Sequence, residues 1–97
     1  DKALFGFGYF TGATGASMTN LVSNTGVVAT DSATVGTARY QPAASGYGSS
    51  GQAIFGYGVT SGYTSITNLV SNTGVVASDT TGVGTSRGEL AAATFGS

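Results

Sequence analysis

The chain lacks cysteine, histidine and tryptophan, and it contains a single proline and a single lysine. Without cysteine there can be no disulfide, and without cysteine or histidine the usual structural zinc site is excluded. The many serine and threonine hydroxyls have no histidine to activate them as nucleophiles. We therefore predict a non-enzymatic protein with no catalytic residue, no metal site and no cofactor.

Charge is also scarce, since charged side chains make up 7% of the 97 residues and the net charge is −1. A nucleic-acid-binding surface needs a stripe of Lys and Arg, which three basic residues cannot form. No apolar run approaches the ~20 residues that a helix needs to cross a bilayer. We expect neither nucleic acid nor membrane insertion among the interactions of this chain.

The chain does contain an internal repeat. Residues 19–29, TNLVSNTGVVA, recur unchanged at 67–77, and much of the surrounding sequence recurs with them. The period of about 48–50 residues is typical of repeat architectures. It divides the chain into two units, residues 1–49 and residues 50–97.

Each unit has the pattern of four short antiparallel strands. Glycine is frequent and β-branched residues outnumber good helix formers, so a helix is disfavoured. The Asn-Thr-Gly segment at 72–74 predicts a tight hairpin turn. The predicted strands are 3–8, 17–23, 27–30 and 41–47 in the first unit, and 53–58, 65–71, 75–78 and 89–95 in the second. Four strands per repeat of this length favour a β-propeller blade, with a β-solenoid as the alternative.

The same residues resemble kelch repeats. Arg39 is followed by the small-residue strand 42–47, a Gly/Ser turn and the glycine-rich strand 53–58. The hairpin 66–76 comes next, and Arg87 opens the following unit. This resemblance implies an all-β fold of four-stranded propeller blades. The Gly/Ser/Thr-rich, low-charge composition is also similar to repeat proteins of phage and bacterial surfaces, which implies an extracellular or virion location.

In the kelch phase the two ends of the chain are complementary. Strand 89–95 would be the innermost strand of a blade, and strand 3–8 would begin a blade that lacks its innermost strand. An unpaired strand edge is an open pairing site. We therefore predict that the chain is its own partner, in a ring or a filament, with membership of a longer repeat array as the alternative.

Four charged residues and one aromatic residue are the candidate site residues. Asp31, Arg39, Asp79 and Arg87 are the charges present in both repeats, and we interpret them as structural supports rather than as a ligand-binding pair. Tyr63 replaces a glycine of the first repeat in a predicted loop, and it is the candidate for an exposed binding contact. A lectin-like, glycan-binding propeller module is therefore the alternative function.

For the remaining recurring aromatic residues, packing between the blade-like units is the favoured prediction, and a sugar-stacking surface is the alternative. Phe5 and Phe7 in the first unit correspond to Phe55 and Tyr57 in the second. Large apolar side chains of this kind fill the space between packed sheets.

Overall fold

A computed structural model describes residues 2–10, 14–33 and 35–96, and all regular structure in these ranges is β. The all-β prediction is therefore confirmed. The strands are β1 (Ala3–Gly6), β2 (Tyr9–Phe10), β3 (Thr14–Gly15), β4 (Thr19–Val22), β5 (Ala43–Tyr47), β6 (Gln52–Val59) and β7 (Tyr63–Val70).

The second repeat contains the larger sheet, in which β5, β6 and β7 pair antiparallel in chain order. After β7 the chain reverses through the predicted turn at 72–74, where Gly74 has a φ of 83°. Glycine adopts this left-handed conformation without the steric penalty of a β-carbon. The chain then returns alongside β7, where Val76 forms an antiparallel bridge with Val70.

In the first repeat, β1 and β4 form the hairpin that β6 and β7 form in the second. β1 pairs with β4 so that Ala3 lies opposite Val22, just as Ala53 lies opposite Val70 in the second repeat. β2 and β3 continue the hairpin as a separate two-stranded sheet. Within the described residues, β1 has no neighbour that corresponds to β5.

An aromatic residue with a left-handed backbone interrupts the first long strand of each repeat. Phe7 has a φ of 61° and Tyr57 a φ of 66°, an unusual conformation for bulky residues. In β6 the interruption is a register shift between Gly56 and Gly58. The predicted strand 3–8 therefore ends at Gly6, because the backbone at Phe7 leaves the extended conformation.

Three of the predicted strands are not formed. Segments 27–30 and 75–78 pair with their neighbours only at isolated bridges, Val22 with Val28 and Val70 with Val76. Segment 89–95 contains no strand, because no described backbone pairs with it in a ladder. Among residues 2–10, 14–33 and 35–96, four-stranded blades are accordingly not observed, and the sheets have two, two and three strands.

The two repeats pack on each other through a small apolar core. Phe55, Val70 and Val76 are buried, and Leu4 of the first repeat packs against them. The rings of Phe55 and Phe7 meet edge to face, with their centroids 5.0 Å apart. The predicted aromatic packing between the units is therefore confirmed for this pair, whereas the equivalent Phe5 is 64% exposed.

Replacing Gly6 by alanine should weaken this packing. A β-carbon at Gly6 would lie 2.6 Å from Cζ of Phe55, a buried ring that cannot move without disturbing β6. We expect the free energy of unfolding, measured by urea denaturation in dilute solution, to fall by about 1–3 kcal/mol. Gly56→Ala is the matched control, because its β-carbon would meet only the methyl group of Thr67, at 3.2 Å. Equal losses in the two variants would contradict this account of the core.

Candidate functional site: the joint between the repeats

The guanidinium group of Arg39 is the centre of the polar contact between the repeats. We call this contact the joint; it is formed by Thr37 and Arg39 of the first repeat and by Tyr57, Asn68 and Asp79 of the second. The side chain has no exposed surface, and its Cζ lies 4.2 Å from the centre of the Phe7 ring. Nη1 donates to the carbonyl oxygen of Thr37, 3.1 Å away in the same repeat. Nε donates across the joint to the carbonyl oxygen of Tyr57 at 2.8 Å, and Nη2 donates to Oδ1 of Asn68 at 2.6 Å.

Asn68 lies in the middle of β7 and is also fully buried. Its amide oxygen accepts from Arg39, while its amide nitrogen donates to the carbonyl oxygen of Ala77 at 3.1 Å and to Asp79 at 2.9 Å. The side chain therefore links the buried cation to a carboxylate by two hydrogen bonds. Asn68 is not among the residues predicted from the sequence, although its amide recurs as Asn20 within the repeated stretch TNLV.

The Asp79 carboxylate completes the joint by binding the preceding repeat. It accepts hydrogen bonds from the backbone nitrogen of Thr37, at 3.0 Å, and from the Thr37 hydroxyl. Burial alone would raise the pKa of Asp79, but the hydrogen bonds from Thr37 and Asn68 and the charge of Arg39 outweigh it. The net result is a pKa below the ordinary value of an aspartate.

Burial has the opposite consequence for the cation. Desolvation lowers the pKa of Arg39, and the negative charge of Asp79 partly offsets this effect. Guanidinium nevertheless stays protonated in proteins, because its ordinary pKa lies far above neutral pH. The joint therefore holds a permanent buried positive charge that needs its acceptors in both repeats.

The structure places only two of the four charged candidates in this joint. Arg39 and Asp79 come from different repeats and are connected through Asn68. In the described ranges, the side chains of Asp31 and Arg87 make their contacts within their own repeats. Asp31 accepts a hydrogen bond from Asn20 at 2.8 Å. Arg87 donates to the carbonyl oxygen of Thr85 at 2.9 Å.

Tyr63 is 66% exposed, but it is the first residue of β7 rather than part of a loop. The prediction of a loop was wrong because Tyr63 pairs with Val59 and extends the hairpin by one residue pair. A second exposed tyrosine, Tyr9, stacks edge to face on Tyr40 with a centroid distance of 4.9 Å. The two exposed tyrosines, Tyr9 and Tyr63, belong to different repeats.

An open cleft of about 730 Å³ is lined by residues of the β1–β4 sheet and of the β5–β6–β7 sheet. β1 and β4 line one side, and β5, β6 and the 72–74 turn line the other. The lining is mainly apolar and includes Leu4, Leu21, Val27 and Phe55. The cleft therefore has the character of an unfilled packing space rather than of a polar active site.

Two further features of the described ranges bear on function. No cluster of three or more Asp or Glu side chains in them could hold a metal ion. None of these residues belongs to a helix of the length and apolarity that crossing a membrane requires.

Comparison with protein-family models and with curated proteins gave no match. The resemblance to kelch repeats consequently stays a prediction from the sequence.

Removing the buried guanidinium should destabilise the fold far more than removing its exposed counterpart. Arg39→Ala leaves the Asn68 amide oxygen and the Tyr57 carbonyl without their donor in a buried site, so we expect a loss of about 3 kcal/mol. Arg87→Ala removes a cation–π contact at an exposed site, a loss of about 1 kcal/mol or less. Thermal unfolding in dilute solution measures both, and similar melting temperatures for the two variants would contradict the role assigned to Arg39.

Acid should weaken the joint through Asp79. Because the pKa of this carboxylate is lower in the folded protein, its contribution is complete above the ordinary aspartate pKa of about 3.9 and is lost as the pH falls through the folded value. We expect Asp79→Asn to flatten the fall of stability below about pH 4, measured by urea denaturation at several pH values. Asp31→Asn removes the same charge at the equivalent position and is the control, and an equal flattening there would refute the prediction.

Proposed function

We propose that this protein is a non-enzymatic structural repeat protein that self-associates through complementary terminal strands into a ring or a filament. Each repeat would contribute to a β-propeller blade, and the assembly would stand at an extracellular or virion surface. The proposal rests on what each repeat lacks within the described ranges: β1 has no neighbour equivalent to the β5 that pairs with β6, and segment 91–95 is exposed and pairs with no strand.

The segment that would supply the missing strand is already held in place. The Thr94 hydroxyl donates to the carbonyl oxygen of Gly46 at 2.6 Å, and the backbone nitrogen of Glu89 donates to the carbonyl oxygen of Gln41 at 3.2 Å. These contacts keep segment 89–95 beside β5 without using its backbone in a ladder. Little ordering entropy would be lost when the segment joins a sheet, which favours association.

The recipient position is equally well defined. β1 borders the apolar cleft, and an added strand beside β1 would face β5 across it. The sequence of segment 91–95, AAATF, corresponds to the AASGY of β5. A second copy could therefore add its segment to β1 as β5 is added to β6, with burial of apolar surface and new backbone hydrogen bonds as the driving forces.

Mass photometry and sedimentation velocity over a range of concentrations test this proposal. We expect discrete multiples of the chain mass or extended filaments, and a variant with Ala92→Pro and Ala93→Pro to stay monomeric, because proline removes the donors of the new ladder. The matched control replaces the same two residues by serine, which keeps both backbone N–H groups. A wild-type chain that is folded and monomeric at every concentration would refute self-association.

Glycan binding is the second candidate function, and the exposed ring of Tyr63 favours it. An exposed aromatic ring offers an apolar face with a polar tip, a combination suited to polar ligands with apolar faces. Glycan-array signal that is lost in Tyr63→Ala, together with a discrete oligomer, would support this function. Equal signal from the two proteins would exclude Tyr63 as its binding residue.

A further inference from the structure

We infer that a second copy of this chain docks head to tail through a polar joint in which Arg87 and Thr85 of one copy bind Asn20 and Asp31 of the next. This inference rests on the proposed self-association and specifies the side chains that select the partner. We call the surface formed by Gly56, Tyr57, Thr85 and Arg87 the donor face. The acceptor face consists of Phe5, Asn20, Asp31 and the backbone of Phe7.

The proposed contact between copies has residues equivalent to those of the joint between the two repeats of one chain. There, Arg39 and Thr37 of the first repeat donate to Asn68 and Asp79 of the second. The repeat relates Arg39 to Arg87, Thr37 to Thr85, Asn68 to Asn20 and Asp79 to Asp31. The donor face and the acceptor face thus each carry one half of a contact whose complete form joins the two repeats.

The donor half is already arranged for binding. Arg87 donates to the Thr85 carbonyl at 2.9 Å, as Arg39 does to Thr37 at 3.1 Å. Its Cζ lies 4.3 Å from the centre of the Tyr57 ring, and the Tyr57 hydroxyl is fixed by donation to the carbonyl oxygen of Val83. In the described ranges, Arg87 makes no bond equivalent to those that Nε and Nη2 of Arg39 make across the joint.

The acceptor half is arranged in the same way. Asn20 donates to the carbonyl oxygen of Ala29 at 3.2 Å and to Asp31 at 2.8 Å, matching the two bonds that the Asn68 amide donates. These bonds orient its amide oxygen as an acceptor for a second copy. Because both halves are held in their bound geometry, docking would immobilise few additional side chains.

Apolar shape adds a second point of complementarity between the faces. Inside the chain, Phe55 is 6% exposed and lies against Gly6 and the ring of Phe7. The equivalent Phe5 is 64% exposed on the acceptor face, and Gly56 and Tyr57 stand in the corresponding positions on the donor face. Docking a second copy would bury Phe5 against Gly56 as Phe55 is buried against Gly6.

The opposite charges of the two faces indicate that the partner of each face is another copy in head-to-tail orientation. The donor face carries the cation of Arg87, and the acceptor face carries the anion of Asp31, so two identical faces would not attract each other. A contact of this heterologous kind leaves a free face at each end of the pair. Growth of the assembly can therefore continue from either end.

A mixing experiment with two single-face variants tests the inference. Arg87→Ala disables the donor face and Asn20→Ala the acceptor face, and each variant alone should dissociate about tenfold or more readily than wild type. An equimolar mixture should form a dimer and stop there, because the mixture contains one intact joint and two disabled ends. Sedimentation velocity, at a concentration where wild type associates and the single variants do not, distinguishes these species.

Two further variants distinguish weaker association at the proposed contact from a loss of folding. Arg87→Lys keeps the charge but lacks the forked donors, so it should associate nearly as weakly as Arg87→Ala. Gly56→Ala should fold almost normally yet associate weakly, because its β-carbon would meet the Phe5 ring of the next copy. Circular dichroism on each variant checks the fold.

The outcomes distinguish this joint from self-association in general. Wild-type association that neither Arg87→Ala nor Asn20→Ala weakens would overturn the joint and leave the proposed function standing. A mixture that forms no dimer would overturn the head-to-tail orientation. A monomeric wild type would overturn both proposals. If a third repeat appended to the chain then stabilised this monomer, the two faces would be contacts between repeats of one longer chain.

Discussion

A buried arginine that draws its acceptors from two repeats is the constraint on which this structure depends. Desolvating a guanidinium group is costly unless each N–H finds an acceptor of suitable geometry. Arg39 meets this condition only when Tyr57 and Asn68 of the second repeat stand at their observed positions. The two repeats are thereby held in one relative arrangement, which their small apolar core, with only a few buried side chains, would fix much less strictly.

The unusual backbone of the aromatic position places a ring against the arginine of the same repeat. At Phe7 the left-handed conformation ends β1, and the ring lies beneath the guanidinium of Arg39 and against the edge of Phe55. Such a conformation persists only where surrounding contacts compensate for its strain. The same conformation at Tyr57, beneath Arg87, indicates that the aromatic support belongs to each repeat and not to the joint alone.

What the sequence could predict was the content of one repeat, and what it could not predict was the contact between repeats. The Asn-Thr-Gly turn and the β-rich hairpin are local patterns, so residues close in sequence sufficed to identify them. The partnership of Arg39 with Asn68 and Asp79 joins residues 29 and 40 positions apart in different units, and no local pattern encodes it. The strand prediction for 89–95 failed for a related reason, because a strand requires a neighbouring backbone and β propensity alone does not supply one.

The two equivalent arginines differ in their exposure to solvent. Arg39 and Arg87 share their aromatic support and their bond to the preceding threonine carbonyl, yet one is fully buried and the other exposed. Arg39 is buried because Tyr57 and Asn68 of the second repeat bind it, and Arg87 has no such bonds in the described ranges. If copies join as the repeats do, each joint applies the same rotation, and the number of repeats in a closed ring must be even because each chain contributes two. Propellers have about four to eight blades, so a closed ring would contain two, three or four chains, and any rotation that does not close would produce a filament.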